Sequence, residues 1–121
     1  MTFKRAIPRC TPEQQARQDR ARELGCIACR MQKAAEIDKD IAGYMLSPTI
    51  HHLTKSGRTI SQDATVCLCR WHHLGEVTGY ITSSLAKIGF GPSLAKGSKP
   101  FHARYGDNAA LLEYQNKLLK E

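Results

Sequence analysis

No apolar run in the sequence reaches membrane-spanning length, so no segment is expected to cross a bilayer as a helix. The start carries no charged n-region followed by an apolar h-region, and the expected compartment is therefore the cytoplasm, with no membrane partner. No internal repeat and no low-complexity segment is evident. Aromatic residues make up only 7%, tryptophan occurs once, and hydrophobic residues are 41% of the 121. That suffices for one small domain with a modest core, of the size that commonly needs a staple. Acidic residues are scarce beside basic ones, 11 against 18, giving a formal net charge of +7 and a pI near 9.4. Such a surface fits a polyanion such as nucleic acid. The five cysteines are an odd number without a secretion signal, which argues against a disulfide framework and for metal binding.

Residues 1–10 are basic, with Lys4, Arg5, Arg9 and Pro8, and read as a flexible arm: a solvated tail, or a strand that grips phosphates. Residues 11–121 read as one domain. Thr11-Pro12-Glu13 starts a helix, with a capping hydroxyl, a proline suited to the first turn and an acid at the positive dipole end. It runs to Leu24 and stops at Gly25, and its charges (Arg17, Asp19, Arg20, Arg22, Glu23) outnumber its apolar positions. A solvated face is expected, with Arg17 and Arg20 available to a nucleic-acid backbone. Met31 to Ser47 suggests a short helix or loop, broken by Gly43 and Pro48. Thr49-Ile50-His51-His52-Leu53 and Thr65-Val66-Cys67-Leu68 are short β-prone runs, expected to form a hairpin with a long loop. From Arg70, the residues Trp71, Leu74, Val77 and Ile81 fall near helical spacing, weakened by Gly75 and Gly79. Ser83–Ile88 suggests another helix and Ser93–Pro100 a flexible basic loop. Asp107 then caps a last helix, whose apolar face (Ala110, Leu111, Tyr114, Leu118) is expected to dock on the core.

Cys26-x-x-Cys29 and Cys69-x-x-His72 have the spacing of two facing zinc knuckles. Zn2+ takes tetrahedral sulfur and nitrogen ligands, and such a site contributes folding energy directly. Cys67 is a rival for a place in this tetrad, since it shares a strand face with Cys69. Cys10 is expected to be a free thiol. A redox pair at Cys26 and Cys29 would require a βαβ pattern that the sequence does not show. His51, His52 and His73 remain over, and together they suggest a second site, in which two imidazoles hold a divalent ion and one acts as a base.

Ile50-His51-His52-Leu53 and Leu68-Cys69-Arg70-Trp71-His72-His73, with the upstream Cys26 and Cys29, resemble the HNH (ββα-metal) nucleases in their zinc-stapled form. The stretch FHARYGDNAALL, beginning at Phe101, is similar to the tails of small phage and prophage proteins of this kind, especially the recombination enhancement nucleases that depend on RecA. The resemblance implies an α+β fold: a small zinc-stapled ββα-metal core with flanking N- and C-terminal helices. It implies a DNA endonuclease in which His52 is the general base and His51 and His73 hold Mg2+ or Mn2+, leaving 5′-phosphate and 3′-hydroxyl ends. The family's loop asparagine is replaced here by Asp63-Ala64, so Asp63 is expected to orient His52. Lys55, Arg58, Arg70, Lys96 and Lys99 would meet DNA phosphates, and a RecA-type filament would be a partner. The alternative is a non-catalytic zinc module that binds nucleic acid.

Overall fold

The computed structural model describes residues 9–32, 46–55, 58–77 and 81–120. Most of the arm at 1–10 and most of the stretch between Met31 and Ser47 lie outside the described residues. Helix α1 (Pro12–Leu24) opens on a capping box: the Thr11 hydroxyl accepts from the Gln14 N–H at 3.2 Å, and the Gln14 side chain accepts from the Thr11 N–H at 2.9 Å. Helix α2 (Ile27–Gln32) is short and carries Cys29.

Strand β1 (Pro48–His52) pairs antiparallel with β4 (Thr65–Cys69), with Ile50 opposite Cys67 and His52 opposite Thr65. Both strands are rich in β-branched residues, which suit a pleated, packed surface. The long loop between them holds its own two-residue ladder, β2 (Thr54–Lys55) with β3 (Arg58–Thr59). Every residue of β4 is buried. Its outer edge is closed by one side chain from the last helix: Gln115 accepts from the Cys67 N–H at 2.7 Å and donates to the Thr65 carbonyl at 2.8 Å. An amide side chain thus stands where a third strand would otherwise be needed to satisfy buried peptide groups.

Helix α3 (Arg70–Leu74) follows β4 without a break. The expected continuation toward Ile81 does not occur. Gly75, at φ 71°, caps α3 in the left-handed region and returns its N–H to the last turn, as a glycine C-cap does. A side chain at that position would also meet the stem of Lys96, 3.0 Å from the added carbon. Helix α4 (Ser83–Phe90), a 3-10 turn (Leu94–Lys96), α5 (Ser98–Tyr105) and α6 (Asn108–Leu119) complete the chain. The basic segment Ser93–Pro100 is therefore not a loop. Ser93 caps the 3-10 turn and Pro100 sits in the first turn of α5, where its missing N–H costs no helical bond. The core gathers Ile27, Leu53, Leu68, Trp71, Phe90 and Phe101 around β4 and α3.

Helix α1 docks by polar contacts rather than an apolar face. Gln14, Arg17, Gln18 and Ala21 lie on one side at helical spacing. Gln14 donates to Asp63 at 3.0 Å. Arg17 donates to the Thr65 hydroxyl at 2.9 Å and to Asn116 at 2.6 Å. Gln18 is buried and donates to Gln62. Arg20 reaches the Leu119 carbonyl. Arg17 is thus spent inside the molecule, whereas Arg20 stays exposed with Asp19, Arg22 and Glu23 on the solvated face expected of this helix.

Gln115→Ala leaves the Cys67 N–H and Thr65 carbonyl without these partners in a fully buried site. Orphaning such groups costs about 1–3 kcal/mol each, so urea unfolding should show a loss of about 2–6 kcal/mol with an unchanged m-value.

Candidate active site and metal centre

Cys26 lies just ahead of α2 and Cys29 within it, Cys69 closes β4 and His72 sits in α3. The fold brings these four together, with all their ligand atoms within 4.8 Å of one another. The His72 Nδ1 is 3.5 Å from the sulfurs of Cys26 and Cys29 and 3.1 Å from that of Cys69, and the Cys29 and Cys69 sulfurs are 3.8 Å apart. Ligands on a tetrahedral zinc are spaced by about 3.8 Å between sulfurs and about 3.5 Å between sulfur and nitrogen. The four residues could therefore hold a zinc ion. Cys67 is not among the residues whose ligand atoms converge; it is fully buried, lies opposite Ile50 in the strand pairing, and burial pushes its thiol up to about 12.

The surroundings of His72 select the ligating nitrogen. Its Nε2 is 2.8 Å from the Phe90 carbonyl and 3.2 Å from the Tyr105 hydroxyl, which itself donates to Phe90 at 2.9 Å. Only a protonated Nε2 can meet that carbonyl, so Nδ1 keeps its lone pair toward the sulfurs. The backbone N–H groups of Cys29 and His72 donate to the sulfurs of Cys26 and Cys69, each at 3.4 Å. Hydrogen bonds from Cys26, Cys29 and His72 hold the Cys69 thiol far below its ordinary value, while burial and the neighbouring sulfurs push Cys26 well up. A divalent cation among the three sulfurs would relieve the crowding of negative charge that resists their ionisation.

Beside this centre, β1 and α3 set out His51, His52 and His73. Thr49 and His51 lie two apart on β1 and so share a face, and both meet His73. The rings of His51 and His73 stand edge to face, with centroids 4.9 Å apart. The Thr49 hydroxyl donates to the Leu68 carbonyl at 2.6 Å and is 2.8 Å from the His73 Nδ1. With its proton committed to a carbonyl, Thr49 accepts from Nδ1–H, and His73 keeps a lone pair on Nε2. Burial lowers the pKa of both histidines, helped for His51 by the neighbouring His73, His52 and His102, which bring it to about 4, and for His73 by His52. Neutral imidazoles of this kind can serve as metal ligands.

The partner of His52 is not the expected one. Its Nε2 is 2.8 Å from the Gln62 side-chain oxygen, whereas Asp63 is exposed and accepts from Gln14. Arg58, Lys96 and Lys99 are exposed, the side chain of Lys55 lies outside the described residues, and Arg70 pairs with Glu76 at 3.2 Å. Thr49, Gln62 and Tyr105 join this arrangement through their hydrogen bonds to His73, His52 and His72, and no motif spacing marks them in the sequence. Gln62 does adjoin Asp63, where the resemblance places an orienting group.

The model of a family described as "Recombination enhancement, RecA-dependent nuclease" matches residues 10–120. The chain belongs to this family. The match spans both the metal centre and the histidine cluster, and the family's name makes the chain a nuclease in recombination whose work is tied to RecA. No curated protein and no solved structure matches it.

Purified protein should contain about one zinc per chain by elemental analysis. His72→Ala or exhaustive chelation should unfold it, since structural zinc sites contribute on the order of 10–16 kcal/mol of binding free energy. Acid gives a second check. The His51 pKa is depressed on folding, so below about pH 6.5 protons favour the unfolded chain, and this share of stability is lost as pH falls toward about 4. His51→Gln lacks that linkage, so wild type should lose stability relative to it between pH 6.5 and 4 in urea titrations.

Proposed function

We propose that the chain is a metal-dependent DNA endonuclease of the HNH class, with a zinc-stapled ββα core and His52 as its general base. The observation that carries this reading is the meeting of His51 from β1 with His73 from α3, rings 4.9 Å apart, with His52 next in the chain. No metal-binding role in the tetrad accounts for those three side chains. His51 and His73 would hold a divalent ion, Mg2+ or Mn2+. That ion, when bound, supplies positive charge to the scissile phosphate and the leaving 3′ oxygen.

The protein's own residues do the rest. Thr49 holds His73 in the tautomer that leaves Nε2 for the ion. His52 takes a proton from the attacking water, and the products carry 5′-phosphate and 3′-hydroxyl ends. Arg58, Lys96 and Lys99 would meet phosphates, which position DNA without reading its sequence. Arg70 serves such a contact only by leaving Glu76. The dependence named for the family fits a substrate presented by a RecA-type filament.

Nicking of plasmid DNA with added Mg2+ or Mn2+ tests the proposal. His52→Ala should cut at least about 100-fold more slowly, the range of a lost general base, while its zinc content stays unchanged. Equal cleavage by mutant and wild type would instead favour a zinc module that only binds nucleic acid.

A further inference from the structure

We propose that Gln62, held in place by Gln18 of α1, fixes the proton of His52 on Nε2 and so makes Nδ1 the basic atom of the site. The inference begins at a group that cannot be turned around. The Gln18 side-chain nitrogen lies 3.2 Å from the backbone carbonyl of Gln62, and a carbonyl only accepts, so Gln18 presents its NH2. The same NH2 lies 3.1 Å from the end of the Gln62 amide. That end must be the oxygen, because two NH2 groups would repel. This oxygen is 2.8 Å from the His52 Nε2. Nε2 must therefore donate, and Nδ1 is left with the lone pair.

Burial gives the chain of bonds its force. Gln18 is only 4% exposed, so its NH2 cannot turn to water for partners, and flipping either amide would place like groups together in a part-buried site. A free neutral imidazole in water exchanges freely between tautomers; this one is committed. Gln18 lies 44 positions before Gln62, and α1 stands outside the strand–strand–helix unit that carries the histidines. The N-terminal helix thereby acts on the base without touching it. Gln14 bonds the neighbouring Asp63 and Arg17 bonds Thr65 opposite His52, so α1 grips the loop at Gln62 and Asp63 and the first residue of β4 just beyond it. Gln62 and Gln18 are positioning residues: both act through His52.

The kinetic side of this inference rests on the nuclease reading, but the tautomer can be measured separately. Two-bond proton–nitrogen correlation spectra of the zinc-loaded, full-length protein with 15N-histidine report the tautomer at about pH 8, where imidazole is neutral. His52→Gln identifies the His52 signals by their loss. Wild type should show the Nε2–H pattern at His52, and Gln62→Met, of the same length but with no acceptor, should lose it. In the nicking assay Gln62→Met should lower kcat about 10–100-fold, as loss of an orienting partner does, with KM nearly unchanged. If Gln62→Met fails to retain zinc, Gln18→Met gives the same reading, since the amide it frees can then turn its NH2 toward His52. An Nδ1–H pattern in wild type overturns the assignment, as does a folded Gln62→Met with wild-type tautomer and kcat. Full cleavage by His52→Ala would remove the base reading alone and leave the tautomer to the spectra.

Discussion

The hydrogen bond from His72 to the Phe90 carbonyl is small, yet the arrangement of the site hangs on it. It commits the imidazole's proton to one side and its lone pair to the three sulfurs on the other. Through Phe90 and Tyr105 it also ties α4 and α5 to the cluster. Trp71, one residue earlier, makes the parallel link with its indole N–H to the Gly91 carbonyl. A five-residue helix could not be stable alone. Here α3 is fixed at its start by the sulfur of Cys69 and at its end by Gly75, so His73 leaves it in a settled direction.

That direction matters because β1 has little freedom of its own. Its residues are partly exposed, and only its pairing with the buried β4 sets its register. A slip of one residue would turn His51 away from His73 and exchange its place with that of His52. The hydroxyl of Thr49 guards against this, since it bridges the Leu68 carbonyl and His73 at once. The zinc-type cluster and the paired strands therefore position the same two imidazoles from opposite ends.

What could be read from the residues alone was the chemistry that is local in sequence. The knuckle spacings declared Cys26, Cys29, Cys69 and His72, because a metal demands ligands that turns of two intervening residues can supply. The Thr11 and Asp107 caps were equally legible, for a cap is decided within four residues. The basic segment at 93–100 misled, since Gly97, Ser98 and Pro100 are loop residues by composition, yet all three are tolerated at a helix start. The partner of His52 could not be read, because the neighbour that a long hairpin loop delivers depends on what grips that loop.

The grip comes from α1, whose role was hidden for a physical reason. Patterns of apolar residues reveal helices that dock by excluding water, and α1 has almost no such stripe. It docks instead through Gln14, Arg17 and Gln18, with Ala21 as the close-packed point. Polar docking is weaker per contact than apolar burial but far more particular about geometry, because each buried group must find its complement or lose its hydration for nothing. Such a surface holds its neighbour in one orientation rather than merely covering it. An apolar face could slide by a fraction of a turn at little cost, whereas a glutamine bonded to both the backbone and the side chain of Gln62 cannot. In this protein the precision with which Gln62 and Asp63 are held follows from the polarity of the helix that holds them.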